Sequence, residues 1–345
     1  MRVNSNGKIW KEEIMKIYFA PMEGITLYPL RNVHHSMFGD GVDKYFTPFL
    51  TAHSNYHFKK REKKDVMPEL TEGFDDYGNR IIPQIMANKA DTFIWAANQM
   101  RELGYNEVNL NLGCPVATVT NRHKGSGMLL DTDYLDSMLD AIFKECTDIS
   151  VKTRLGFYDE EESLKLMQIL SKYPLKEITV HARIREDFYK GEPRTDAYAK
   201  AVKVYRENGG KASVCYNGNI FTVKDYKNIS EKICGGSKEQ EEQHLIDAIM
   251  LGRGLLADPS LARQLKGGSK LEASELREYL DRLYTEYEKF ILEDRNVVFK
   301  MLEHWAFLHV HFKDCDKYLK VIRKSRSKGE YTAAVNNIFA SCEFI

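Results

Sequence analysis

The stretch NLNLGCPVATV, residues 109–119, places a cysteine between a glycine and a proline. Gly113 and Pro115 cannot continue a central strand, so Cys114 sits where an alternating apolar run stops. Cysteine is often a small buried hydrophobe, but a side chain at a strand end faces a crevice more often than a core. Other reactive or ligand-type groups stand at comparable places. Lys152 and Arg154 are two residues apart in ISVKTRLG and share one strand face. His181 and Arg183 do the same in ITVHARIR. Asn217-Gly218-Asn219 and Gly252-Arg253-Gly254 end two further runs, Gln84 stands in another, and Ala20-Pro21-Met22-Glu23-Gly24 ends the first. Singly, each has a plain explanation: a solvated lysine, a hydrogen-bonded core histidine, a common Asn-Gly turn. Ligand-type groups at six successive strand ends are hard to explain by packing.

The elements that must position them are short apolar runs at Ile17–Phe19, Lys44–Thr47, Ile81–Met86, Glu107–Asn111, Ile149–Thr153, Glu177–His181, Ser213–Asn217 and Ala248–Leu251. Between them lie helical patterns, among them Thr92–Leu103, Tyr134–Phe143, Glu161–Leu170 and Ala197–Tyr205. Strand alternating with helix predicts a parallel α/β fold. Eight strands match a (β/α)8 TIM barrel, with a doubly wound sheet as the alternative. Barrel chemistry sits at the C-terminal strand ends, where the groups above collect. Glycines after strands seven and eight are where barrels often bind phosphate through backbone N–H groups. Gly218 and Gly252 allow close approach, and Arg253 adds a charged fork. A phosphate-bearing cofactor follows. An inward Lys152 would lie under its rings, where a cation stabilises an anionic reduced flavin.

Past Lys266–Lys270, a Gly-Ser linker, the strand runs stop. Leu271–Leu292, Val297–Phe312, Cys315–Ser325 and Tyr331–Phe339 are helical in period and predict a small helical bundle. The chain has 345 residues, a formal net charge of +0 and 6 cysteines without a CxxC pair. That argues against a disulfide framework or zinc knuckle and for a reducing compartment. No apolar run has membrane-spanning length, and the first residues lack the apolar core of a secretory signal, so a cytoplasmic protein is expected. His309 and His311 near Cys315 have poor metal-site spacing, so no metal is expected.

FAPMEGIT, NLNLGCP, VKTRLG, ITVHARIR, VCYNGNI and IMLGRGLLADP resemble, in order and spacing, the dihydrouridine synthases over about residues 15–262. The resemblance implies an FMN-binding TIM barrel over 15–265 behind an N-terminal extension, 1–14, and a helical RNA-binding domain over 271–345. It implies NADPH-driven reduction of the C5–C6 bond of particular uridines in tRNA. By position, Cys114 resembles the catalytic cysteine. Pro21, Met22, Gln84, Lys152, His181, Asn217, Gly218, Gly252 and Arg253 resemble flavin contacts, and Asn111 and Arg183 groups near base or flavin. A thiol of pKa about 8.5 is mostly protonated at neutral pH and can serve as general acid. HKGSGMLL, residues 123–130, resembles the family's flexible Gly-rich loop. Ala117 departs from the pattern, because many relatives carry a charged or polar residue there.

A tRNA substrate asks for a local basic surface. Lys317–Lys328 holds Lys317, Lys320, Arg323, Lys324, Arg326 and Lys328 without an acid, and a second cluster spans Lys59–Lys64. Lys320, Arg323 and Lys324 are expected substrate contacts. A uridine flipped from its stack needs a ring to lie on, for which Tyr45, Phe49, Tyr56 and Tyr189 are candidates. No membrane contact or obligatory protein partner is indicated. Alternatives are an FMN barrel reducing a small molecule, as dihydroorotate dehydrogenases do, a synthase acting on rRNA, a flavin-free RNA-binding barrel, and an isomerase or aldolase using Lys152 as a Schiff base.

Overall fold

In the computed structural model residues 2–3, 9–10, 15–71, 73–234 and 245–345 are described. The apolar runs become β1 (Lys16–Phe19), β2 (Lys44–Phe46, continued by Leu50–Thr51), β3 (Ile81–Ile82, continued by Gln84–Met86) and β4 (Val108–Leu112). They continue as β5 (Ile149–Gly156), β6 (Glu177–Ile184), β7 (Ser213–Asn217) and β8 (Ala248–Leu251). Each strand pairs in parallel with the next, and β8 returns to β1 with Ile249 opposite Ile17, so the sheet closes into a (β/α)8 barrel. Prolines lack a ladder donor, and β2 and β3 are interrupted at Pro48 and Pro83. Side chain replaces main chain there: Thr47 Oγ1 accepts the N–H of Gln84 at 3.1 Å.

β5 and β6 run past their expected ends, and their register shifts between His181 and Ile184. Arg154 and Arg183 therefore lie within strands. Alternation along each strand sends one set of side chains inward. Tyr18, Phe46, Ile82, Cys215, Ala248 and Met250 pack there. At the strands' N-terminal ends Lys44 Nζ meets Glu107 at 2.8 Å and Glu177 at 3.6 Å. A buried charge of this kind is tolerated when paired. At the opposite end the inward positions are Gln84, Asn111, Lys152, His181 and Asn217.

The helices around the sheet are α1 (Tyr28–Phe38), α2 (Ala90–Glu102), α3 (Thr132–Glu145), α4 (Glu162–Leu170), α5 (Thr195–Glu207), α6 (Val223–Ile233) and the short α7 (Arg253–Ala257). The helical tail forms α8 (Ala273–Phe290), α9 (Asp294–Leu308), α10 (Asp316–Lys324) and α11 (Lys328–Ser341). It packs on α1, with Phe38 edge-on to Tyr279 at 5.8 Å and Tyr28 edge-on to Phe290 at 5.5 Å. Such pairs add about 0.5–1.5 kcal/mol beyond area burial. A bidentate pair, Arg263 with Glu275 at 2.8 and 2.9 Å, pins the linker. His311 Nε2 lies 2.7 Å from the Ala257 carbonyl oxygen, and His309 Nδ1 lies 3.1 Å from that of Trp305, so both histidines serve tail packing. Of the expected extension 1–14, Arg2–Val3 and Ile9–Trp10 form an antiparallel pair; the rest of it lies outside the described residues.

Candidate active site

A cleft of about 250 Å³ opens at the C-terminal ends of the strands. Its lining includes Pro21, Met22, Gln84, Asn111, Cys114, Lys152, His181, Asn217, Gly218, Gly252 and Arg253. The strand-end reading therefore converges on one cavity. Arg183 stands apart. It is fully buried behind the lining and donates to His181 Nε2 at 3.3 Å and to the Lys190 carbonyl at 3.1 Å. Lys320, Arg323 and Lys324 lie away from the cleft, exposed on α10.

Cys114 is held by its own strand. Asn111 Oδ1 accepts the N–H groups of Gly113 and Cys114, each at 3.0 Å. Asn111 Nδ2 donates to Gln84 Oε1 at 2.7 Å, and Gln84 Nε2 donates to Asn109 Oδ1 at 2.8 Å. Asn109 in turn donates to Ser150 Oγ at 2.9 Å. These buried amides fix the turn through a chain in which each donor meets an acceptor. Much of the Asn111 amide is thus spent on positioning Cys114. The Gly-rich segment following Cys114, expected as a loop, carries a helical turn. Gly125–Leu130 is a short 3-10 helix with Gly125, Ser126 and Gly127 buried. Ser126 donates to the Cys114 carbonyl through N at 3.0 Å and Oγ at 2.8 Å.

Burial pushes the Cys114 thiol up, and Glu23 adds to this. The Val116 N–H, Arg154 and Lys152 pull in the other direction without cancelling it. The thiol therefore keeps its proton at neutral pH. Lys152 Nζ donates to Asn217 Oδ1 at 3.0 Å, and Asn217 Nδ2 donates to the Met250 carbonyl at 2.8 Å. Burial, then the neighbouring Arg154, bring the Lys152 ammonium down to about 8. His181 is held well below its usual range by burial and by Arg154 and Lys152, so it is neutral. Because Arg183 only donates, His181 Nε2 accepts and Nδ1 carries the proton.

Glu23 and Arg154, named at their strand ends without a role, complete the wall together with Ile220 and with Pro48, Phe188 and Phe221, which the motifs do not mark. The alternation that marked Lys152 also put Arg154 on the same face. Phe188 and Phe221 belong to loops without a period. Arg253 donates to Asn219 Oδ1 at 2.8 Å and lies 5.2 Å from the Tyr189 ring and 5.6 Å from the Phe221 ring. Tyr189, 51% exposed, and Phe49 are at the cleft as stacking candidates. Tyr56 is exposed on the loop following β2, where it donates to Asp91. Tyr45 is not a stacking ring: it is fully buried on the outer barrel face against His34, with its hydroxyl 2.9 Å from His34 Nδ1.

The donor set suits an anionic, phosphate-bearing group, since Lys152, Arg154 and Arg253 face a single acid, Glu23, in the lining. A Cβ on Gly252 would meet only Ala20 Cβ at 3.4 Å and Met22 Sδ at 3.5 Å, ordinary contacts within the cleft. Protein packing leaves that position open, as a close ligand requires. Gly218 has another cause: its Cβ would collide with the Tyr216 ring.

The family model for dihydrouridine synthase (Dus) matches residues 18–341. A probable tRNA-dihydrouridine synthase of Staphylococcus aureus strain N315 is 26% identical over 292 residues, 84% of this chain and 83% of the relative. Probable tRNA-dihydrouridine synthase 2 of Bacillus subtilis strain 168 is 28% identical over 284 residues, covering 81% of this chain and 82% of the relative. Among solved structures, TcOYE with pHBA superposes with a TM-score of 0.50 at 10% identity, over 79% of this chain and 94% of the other, which concerns the fold alone. The match spans barrel, cleft and tail together, and the chain belongs to the dihydrouridine synthase family.

Proposed function

We propose that this chain reduces the C5–C6 double bond of specific uridines in tRNA to 5,6-dihydrouridine, with FMN held at the top of the barrel and NADPH as electron source. The observation that carries the reading is a protonated, half-buried thiol, Cys114, fixed at the rim of a cleft that is also lined by Lys152, Arg154 and Arg253. Family membership and the relatives' names supply the substrate class. FMN, when bound, supplies the hydride that reaches C6.

Pro21, Met22, Gln84, Lys152, His181, Asn217, Gly218, Gly252 and Arg253 are the residues to hold it. Lys152 brings charge, neutral His181 an Nδ1–H donor, and the Gly252–Arg253 turn a phosphate site. Cys114 Sγ gives its proton to C5 from the opposite face. A flipped uridine enters past Tyr189 and Phe49. The tail, 271–345, serves as the RNA-binding unit, with Lys320, Arg323 and Lys324 on phosphates; Arg183 acts through His181, and Asn111 through Cys114. The setting is the cytoplasm. No helix of the described residues is long and apolar enough to cross a membrane.

The test is the dihydrouridine content of tRNA from cells lacking the gene, mapped by position. Loss at a defined position, restored by wild type and not by Cys114→Ala, is the expected result. Unchanged tRNA with a loss in rRNA moves the substrate, and no loss in either favours a small-molecule reductase.

A further inference from the structure

We propose that Arg154 is a positioning residue that ties the loop carrying Cys114 to the loop carrying Tyr189 and lends its charge to the sulfur as the thiol gives up its proton; this rests on the reading of Cys114 as general acid. Arg154 is 2% exposed, yet it lines the cleft. Its Nε donates to the Gly113 carbonyl at 2.8 Å. Its Nη1 donates to the carbonyls of Ile184 at 3.0 Å and Phe188 at 2.9 Å. One guanidinium thus spans two segments that are far apart in sequence and meet only at the mouth.

The first bond has a specific consequence. The Gly113 carbonyl and the Cys114 N–H belong to one peptide unit. Asn111 Oδ1 takes the N–H and Arg154 takes the C=O. A planar peptide gripped from both sides cannot rotate, so the direction of the Cys114 side chain is set. The second set of bonds fixes the Phe188–Tyr189 main chain, and the guanidinium carbon lies 5.8 Å from the Tyr189 ring. Acid and ring are held in one arrangement from one residue.

Among the described residues the hydrogen-bond partners of Arg154 are carbonyls, not a carboxylate. A buried cation so held keeps its charge for whatever lies in front of it. The charged groups facing Cys114 are Lys152 and Arg154 from β5 and Glu23 from the loop after β1. Arg185, beyond β6, bonds the Pro115 carbonyl at 3.1 Å. When C6 of the pyrimidine has taken its hydride, the S–H bond of Cys114 breaks, a C5–H bond forms and the sulfur keeps the electron pair. Negative charge develops beside the guanidinium, and water later returns the proton.

The experiment compares full-length wild type, Arg154→Gln and Arg154→Lys. The first readout is iodoacetamide alkylation against pH, quantified by mass spectrometry on the Cys114 peptide. In Arg154→Gln the midpoint moves up by about one unit, while Arg154→Lys stays near wild type. The second is the rate of dihydrouridine formation on tRNA. Arg154→Gln loses about 100-fold in kcat, and Arg154→Lys, which keeps the charge but cannot span both loops, loses about tenfold, with KM for tRNA little changed. Midpoint and kcat both at wild-type values in Arg154→Gln overturn the proposal. Should Arg154→Gln fail to fold, a fully active Arg154→Lys overturns the tie. If wild type forms no dihydrouridine, the functional reading fails, and the alkylation midpoints still decide whether Arg154 acts on Cys114.

Discussion

Asn111 Oδ1 accepts the Cys114 N–H at 3.0 Å and the Gly113 N–H at the same distance. The thiol that faces the cleft is therefore aimed by an amide three residues upstream. Asn111→Ala leaves two N–H groups without this acceptor, at a cost of about 1–3 kcal/mol for each that stays buried. The expected outcome is at least a tenfold lower rate of dihydrouridine formation, with FMN binding weakened less. Rates on tRNA beside flavin titrations of the same preparation check this. Equal losses in both would mean that Asn111 serves the cofactor and not the thiol.

Cys114→Ser replaces a thiol by a far weaker acid in the same place, and Cys114→Ala removes the proton altogether. Loss of a positioned general acid costs about 100- to 10,000-fold. Single-turnover measurements separate the steps: reduction of the bound flavin by NADPH keeps its rate in both variants, while its reoxidation by tRNA slows. A Cys114→Ala enzyme that reduces tRNA at the wild-type rate removes Cys114 from the mechanism.

Much of this site is legible in alternation. Lys152, His181 and Asn217 lie on inward strand positions, and a strand with a buried face fixes which side each residue takes. Tyr45 departs from its expected stacking role because its position faces outward, where α1 covers it with His34. Gly218 reads in sequence as room for a ligand, whereas the ring of Tyr216, two residues earlier, fills the space. Phe188, Phe221 and Glu23 sit in loops, where no period tells which way a side chain points. Asn111 is legible as a polar group at the rim but not as the acceptor for Cys114, because that depends on how the turn closes.

Lys152 titrates at about 8 in the fold, down from 10.5. Between these values the unfolded chain holds a proton that the folded chain has lost, so this group's contribution to stability grows as pH rises through that window. Binding an anionic cofactor runs the opposite way, because it needs the ammonium. FMN affinity of the apoprotein is expected to fall as pH rises through about 8, and binding itself moves that midpoint upward. Lys152→Met lowers the affinity at neutral pH by about tenfold or more and flattens the profile. Quenching of FMN fluorescence on either side of that pH checks it. A flat wild-type profile counts against Lys152 as a cofactor ligand.

Gly125 has φ +57°, and a Cβ there would come within 2.8 Å of the Cys114 carbonyl oxygen and 2.9 Å of Cys114 Cβ. Gly209 has φ +85° with nothing within 4 Å of the added carbon. Both alanine variants bear the left-handed cost of about 1–2 kcal/mol, but only Gly125→Ala pushes on the thiol. A small fall in Tm is expected for Gly209→Ala and a larger one for Gly125→Ala, where the collision adds to the backbone cost, joined in Gly125→Ala alone by a loss of activity of about tenfold or more. Equal activities would show that the turn beneath Cys114 yields without moving it.

Lys320, Arg323 and Lys324 stand at i, i+3 and i+4 on α10, so they share one solvent face while Leu319 and Ile322 are buried beneath. Lys60 and Lys63 are exposed in the segment after β2. Neither set lines the cleft, so charge reversal at either leaves FMN binding unchanged. Phosphate contacts are lost with their counterion release, and each one removed lowers the salt slope of binding by about 0.7–0.9. Reversing Lys320, Arg323 and Lys324 together is expected to lower tRNA affinity by about 10- to 100-fold and to flatten the salt dependence. Lys60→Glu with Lys63→Glu is the companion measurement. A slope that falls only in the companion shifts the RNA track from the tail to the segment after β2. A slope that falls in both means that the RNA bridges barrel and tail, so that the packing of Phe38 on Tyr279 would then set the distance between grip and thiol.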